Sequence, residues 1–436
     1  MLNPVLPLLL MTGGASAASS PAVSGLDSIY PQLDALYLDL HKNPELSGQE
    51  TKTAAKLAER LRKLGYEVTT GVGGNGVVGV LRNGNGPTVL LRTELDALPV
   101  EEKTSLPYAS KVTAKDSAGK TVPVMHACGH DVHMASWTGA ATLLARAKNS
   151  WRGTVVMIAQ PAEEIVQGAK AMLADGLFSR FPKPDFVVAV HDRSDWPAGK
   201  VTFVPGYTMA NVDSVDVTLF GRGGHGAKPE TTVDPIFMGA RFVLALQGLV
   251  SREKDPLEPA VVTVGSFHGG AKHNIIPDQV HLQLTVRSYS PEVRKRLLDG
   301  IVRIAKAEAA VSLAPREPEV RFSEPANATY NDPQLTQRLA AMLTRELGED
   351  NVSQGKPDMV AEDFGEFGKA ANVPSVLLRV GAAEPTRFAE ATKRGEPLPS
   401  LHSGTFAPDR ERTIKTGTTV LTLCALELLA KPIAAK

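Results

Sequence analysis

Cysteine, net charge and long apolar runs are all scarce in this chain. Its 436 residues hold only Cys128 and Cys424, too few for the disulfide framework that staples small secreted domains. Lys plus Arg and Asp plus Glu number 47 each, for a formal net charge of +0. Nucleic acid and anionic membranes select basic surfaces, so neither is an expected partner. Beyond the N-terminal segment no stretch of about 18 apolar residues occurs, so stable membrane insertion is not expected either. Internal repeats and low-complexity tracts are also missing. What is present is a chain with 43% hydrophobic and 22% charged residues, long enough for two cores, and small-molecule chemistry fits it best.

At the N-terminus, Val5 to Met11 is apolar and is followed by Gly13-Gly14-Ala15-Ser16-Ala17-Ala18, a small-residue stretch of the A-x-A type. Residues 1–20 are therefore read as a signal peptide, with export to the periplasm or beyond. No Lys or Arg precedes the run and Pro7 interrupts it, so a disordered tail on a cytoplasmic protein is the competing reading.

Met125-His126-Ala127-Cys128-Gly129-His130-Asp131-Val132-His133 is the densest chemistry in the chain. A thiolate and a neutral imidazole two positions apart can turn toward one divalent cation, and Gly129 lets the backbone bend close to it. A lone Cys is usually a small buried apolar residue and a lone His a satisfied core or surface group; their clustering points to a metal. Cys128 and His130 alone are too few ligands, so other donors must come from elsewhere.

Gly153 to Gln160 reads as a buried strand running into Glu163 and Glu164. In open α/β sheets ligands collect outside the carboxyl ends of strands, so one Glu could ligate while its neighbour works as base. The bland reading is an acidic helix start near Glu164. Asp185 to Val190 ends in His191 and Asp192, and His402 lies in a polar loop before the last helix, expected to begin near Asp409. Cys128, His130, Glu164, His191 and His402 would hold two ions if the thiolate bridges them.

MHACGHDVH, QPAEE, the strand-end His191, GRGGHGAKPE, NIIPD and LHSGTFAP follow the order of the M20 metallopeptidases. From about His41 to the C-terminus the chain resembles their amidohydrolase subfamily, which acts on N-acyl and indole-acetyl amino acids and on hippurate. That resemblance implies a metal-dependent hydrolase that cleaves N-acyl amino acids to a carboxylic acid and a free amino acid, working as a homodimer. It places Cys128, His130, Glu164, His191 and His402 at metal-ligand positions and Glu163 at the general base. Asp96 matches the Asp that orients the metal site. His225 matches a His that stabilises the oxyanion, often in a partner subunit's site, and Asn274 and Arg287 match substrate contacts. Arg287 would pair bidentately with the α-carboxylate.

Two positions depart from the subfamily: Glu94 stands where Asp is usual, and Glu230 where His is frequent, which bears on substrate preference. Thiolate and imidazole suit zinc, while carboxylates also admit manganese, cobalt or nickel. A Cys128 that holds metal cannot pair with Cys424, so both thiols are expected reduced. Two other functions stay open: a dipeptidase or carboxypeptidase of the same superfamily, acting on short peptides, and a non-catalytic metal or amino-acid binding protein, against which an intact Glu163 argues. The glycines of Gly221 to Gly226 do not match a dinucleotide fingerprint.

Periodicity predicts helices over Gly25 to His41, Glu50 to Leu64 and His133 to Ala145, alternating later with strands, which is an α/β layered catalytic domain. Between about Val212 and Phe322 the elements run β-α-β-β-α-β, a ferredoxin-like insertion serving as lid or dimerisation domain. The expected organisation is residues 24–208 and 326–433 for the catalytic domain and 209–325 for the insertion. Arg387 to Ser400 reads as a loop.

Overall fold

The computed structural model describes residues 23–431; the expected signal segment lies outside the described residues. Gly153–Gln160, Thr88–Glu94, Phe186–Pro197 and Ser375–Ala383 lie side by side as parallel neighbours at the centre of an eight-stranded sheet. A parallel sheet covered on both faces needs apolar side chains in both directions, and these strands are almost wholly buried. The helices Leu26–Lys42, His130–Arg146 and Arg410–Leu428 cover one face through residues such as Leu36, Tyr37, Trp137 and Leu421. Met172, Phe364 and Phe367 fill the other. Strands that run the same way end along the same edge; Gln160 and Glu94 close their strands there, and His191 lies within Phe186–Pro197, in register with Arg379.

Four further strands, ordered Ala260–Gly269, Gln279–Ser288, Val212–Phe220 and Glu319–Ala326, form a separate antiparallel sheet. Burial alternates along Gln279–Ser288, as a half-covered strand requires. The helices Pro235–Arg252 and Pro291–Val311 cover it through Phe242, Leu246, Leu297 and Ile301, which form a second core. Each helix starts at a Pro behind a capping side chain: Asp234 accepts the Ile236 N–H and Ser290 the Val293 N–H. The observed order is the expected β-α-β-β-α-β, apart from a short hairpin of Gly224–His225 with Ile275–Ile276.

Two local expectations are corrected and one competing reading, the helix start at Glu164, is removed. The helix expected from His133 starts at His130, because Gly129 already supplies the left-handed turn that ends the preceding loop, with φ 74°. No helix begins at Glu164; Ala162 and Val166 have φ 52° and 56°, and the next helix is Gly168–Ala174. The loop expected from Arg387 opens inside the helix Pro385–Arg394, which Glu384 caps and in which only Ala391 is buried. A helix of ten residues with one buried apolar side chain offers too little apolar sequence to set it apart from a polar loop. Among the described residues no helix is long and apolar enough to cross a membrane.

Candidate metal centre

The backbone around Cys128 explains why its neighbours can be so close. A Cβ at Gly129 would lie 2.7 Å from Asp192 Oδ2, so only glycine lets Cys128 and His130 turn inward beside that strand. The His402 N–H donates to the Ala127 carbonyl at 2.8 Å, which ties the loop of His402 to the loop of Cys128.

All five expected ligands meet. Cys128 Sγ lies 3.6 Å from His191 Nε2 and 3.3 Å from His402 Nε2. Glu164 is 3.5 Å from His402 Nε2 through Oε2 and 3.8 Å from His130 Nε2 through Oε1. Atoms about 2.0–2.3 Å from a shared tetrahedral ion are about 3.3–3.8 Å apart, so this spacing, which also lets the thiol meet both imidazoles within N–H···S distance, is compatible with ligands of a common ion. The donors fall into two triads that share the thiol, Cys128 with His130 and His191, and Cys128 with Glu164 and His402. The set therefore fits a pair of divalent ions.

Hydrogen bonds behind the donors fix which nitrogen faces inward. His130 Nδ1 donates to the Asp96 carbonyl at 2.8 Å and His191 Nδ1 to the Asp192 carbonyl at 2.9 Å, leaving each Nε2 lone pair toward the cluster. Asp96 Oδ2 accepts from the Ser47 hydroxyl at 2.6 Å and from the Glu164 N–H at 2.9 Å, so Asp96 braces two donors together. His130 Nε2, Glu164 Oε1 and Asp96 Oδ1 are buried without a hydrogen-bond partner; a cation would satisfy the first two directly. Burial pushes the Glu164 carboxyl up to about 7. Burial resists charge on His130, yet its Asp96 hydrogen bond and the Glu94 and Glu164 carboxylates raise it to about 10. Both shifts mark a pocket with surplus negative charge.

Glu163 is 6% exposed and lies 3.7 Å from His130 Nε2. Burial, then the Glu362, Glu164 and Asp363 carboxylates, push it well above the usual carboxylate range, as a group that must hold a proton requires. Behind it, buried Arg92 meets Glu94, Glu362 and Asp363. Glu94 also pairs with His133 at 3.1 Å. Glu50 is wholly buried and accepts the Ala162 N–H at 2.8 Å, holding the left-handed turn that precedes Glu163.

A cavity of about 650 Å³ opens in front of the cluster, lined by Cys128, Glu163, Glu164, His191, Arg287 and Arg379 among others. Arg287 thus reaches the pocket from the smaller sheet. His225 and Asn274 do not line it: both are exposed and sit together where the Gly226 N–H meets the Asn274 carbonyl at 2.9 Å. Glu50, Glu362, Asp363 and Arg379 were not singled out from sequence. Only Arg379 carried a signal, a charge inside the apolar run Ser375 to Val380.

Residues 90–394 match the peptidase family M20/M25/M40. A thermostable carboxypeptidase of Saccharolobus solfataricus is 36% identical over 90% of this chain and 94% of its own. A hippurate hydrolase of Campylobacter jejuni is 39% identical over 75% of this chain and 82% of its own. A crystal structure of a Bacillus subtilis dinuclear metal-binding M20 peptidase superposes with a TM-score of 0.74 at 28% identity, covering 92% of this chain and 100% of that one. The convergence of thiolate, imidazoles and carboxylates on one cavity and the match across both domains lead to one conclusion: the chain belongs to peptidase family M20/M25/M40 and is a metal-dependent hydrolase of amide or peptide bonds.

Proposed function

We propose that the chain hydrolyses N-acyl amino acids to a carboxylic acid and a free amino acid. The observation that carries this reading is the pairing, in one cavity, of Glu163 beside the ligand cluster with Arg287 on the side of the smaller sheet. Arg287 Nη1 donates to the Met359 carbonyl at 3.2 Å, which leaves most of its fork for a substrate α-carboxylate. Cys128, His130, Glu164, His191 and His402 would hold two divalent ions, of zinc, manganese, cobalt or nickel, with Asp96 bracing His130 and Glu164. Such ions acidify water and polarise a carbonyl when bound.

Glu163 takes the proton of the attacking water on its carboxylate and returns it to the departing amine. His225 donates to the tetrahedral oxyanion from the partner subunit of a homodimer, and Asn274 contacts the substrate from beside it. Export is part of the same proposal and rests on the N-terminal sequence alone.

A carboxypeptidase or dipeptidase reading has one specific support, the exposed carboxylate of Asp358 at the cavity, which could receive a free ammonium. The assay compares N-acetyl- and N-benzoyl-amino acids with unblocked dipeptides, using protein reconstituted with each metal. Faster turnover of the blocked substrates is expected; cleavage of unblocked dipeptides alone overturns the proposal. Glu163→Gln should keep its metal and lose about 10²–10⁴-fold in kcat; normal kcat removes Glu163 from the role of base.

A further inference from the structure

We propose that Arg379 forms a second anion-binding subsite in the cavity, so that the preferred substrate carries a carboxylate beyond the one assigned to Arg287. The inference rests on the N-acyl amino-acid reading and narrows its substrate class.

Arg379 lies within Ser375–Ala383, a strand whose residues are all buried. It is in register with His191 on the parallel neighbour, so the two side chains project to one face of the sheet, and both line the cavity. The residue is only 7% exposed. A guanidinium cannot shed its proton, so burying one calls for an anion. Among the described residues no carboxylate reaches ion-pair distance of Arg379, and its Nε is buried without an acceptor.

The other inward arginines of this region are served by the protein. Arg92, equally buried, meets Glu94, Glu362 and Asp363. Arg193, on the same cavity wall, is taken by Asp195 through Nε–Oδ1 at 2.8 Å and Nη2–Oδ2 at 2.7 Å. Arg379 alone of the three faces the cavity with its fork open. A carboxylate arriving from the cavity matches that fork with two parallel hydrogen bonds. With Arg287 contributed by the smaller sheet and Arg379 by the larger, a dianion would be gripped by both. The second carboxylate has two chemical sources: the side chain of an acidic amino acid, or the far end of a dicarboxylic acyl group.

The test measures kcat/KM of the metal-loaded enzyme on N-acetyl-L-alanine, N-acetyl-L-glutamate and N-succinyl-L-alanine. At least one dianionic substrate should exceed N-acetyl-L-alanine, and which one does so names the source. Arg379→Met should lower that preference about 10- to 100-fold with bound metal retained, and Arg379→Lys should restore part of it. Equal losses on all three substrates, or loss of metal, overturn the proposal and make Arg379 a support of the Cys128 thiolate instead. Absence of any preference in the unmodified enzyme overturns it as well. If Arg379→Met does not fold, inhibition of the unmodified enzyme by glutarate and by butyrate decides: stronger inhibition by the dianion supports the subsite, and equal inhibition overturns it. Cleavage of unblocked dipeptides with none of the three N-acyl substrates turned over is a distinct result, which removes the N-acyl reading and this proposal with it.

Discussion

The two sheets hold their chemistry in opposite ways. Around the carboxyl edge of the large sheet Cys128, His130, Glu163 and His191 are buried, and the imidazoles of His130 and His191 are each anchored through Nδ1. On the smaller unit His225 and Asn274 ride an exposed hairpin, where His225 Nδ1 only accepts the N–H of Ala227, two residues on, at 3.0 Å. Ligands must be placed to within fractions of an ångström before a metal arrives, which demands packing and hydrogen bonds behind them. A group that meets substrate only after subunits assemble has no such support inside its own chain. The contrast separates a centre that one chain completes from a contact that one chain leaves unfinished.

The largest effect should come from breaking the completed side. Cys128→Ala removes the donor shared by both triads, and both metal content and turnover should collapse, turnover by on the order of 10³-fold or more. Elemental analysis beside hydrolysis rates checks this, and full metal occupancy in the variant would refute the thiol as ligand. His225→Ala probes the unfinished side: metal should stay while kcat drops by about 10²–10³-fold. Mixing His225→Ala with Glu163→Gln subunits, each nearly inactive, sharpens the contrast. If His225 serves the neighbouring site, heterodimers contain one intact site, and a 1:1 mixture should regain about a quarter of normal activity. A mixture as inactive as its parts would place His225 outside a partner's site.

The same contrast governs what could be read before folding. The strands Gly153–Gln160 and Phe186–Pro197 announce themselves as apolar runs, and Glu163 and Glu164 follow from where the first one stops, whereas the second runs on past His191 to Pro197 and its apolar part alone marks that residue. Period-two alternation likewise reveals Gln279–Ser288. What stays hidden is what depends on meetings across the chain. Glu362 and Asp363 join Arg92 over some 270 residues, and nothing local in Ala361-Glu362-Asp363-Phe364 says that both will be buried. Glu50 reads as a helix start, and only the fold shows its carboxylate holding the Ala162 N–H. The start of the helix at His130 depends on a backbone angle at Gly129 that periodicity does not encode.

Glu50 allows a smaller test of how the completed side is held. Its Oε1 accepts from Gly48 N–H at 2.8 Å and Ala162 N–H at 2.8 Å, and its Oε2 from Asn75 Nδ2 at 2.9 Å. Glu50→Ala leaves the buried Ala162 N–H without a partner, at a cost of about 1–3 kcal/mol, and frees the turn that aims Glu163. An expected fall of about tenfold in kcat with near-normal metal content follows, since a misplaced base costs rate before it costs ligands. Unchanged kcat with lowered thermal stability would show that Glu50 serves the fold alone.

The smallest effect should come from the rear of the same region, where His41 ends the helix Leu26–Lys42 with 1% exposure. Its Nδ1 is 2.7 Å from Asp131 and its Nε2 is 3.1 Å from Glu102. Burial works against its charge, but the hydrogen bonds it donates to Asp131 and Glu102, and then their charges, raise it from 6.5 to about 9. A folded pKa above the unfolded one means that the stabilisation is complete below pH 6.5 and disappears as pH climbs through about 9. Asp131 and Glu102 are both lowered against the pull of burial by their contacts with His41, so their own contribution fades only in acid. The network should therefore be strongest near neutrality, contributing on the order of 2 kcal/mol there. Thermal melts of the unmodified protein and of His41→Gln should differ most at pH 6 to 7 and converge toward pH 10. A constant gap across that range would mean that the imidazole stays neutral, and that the rigidity behind His130 owes nothing to this charge.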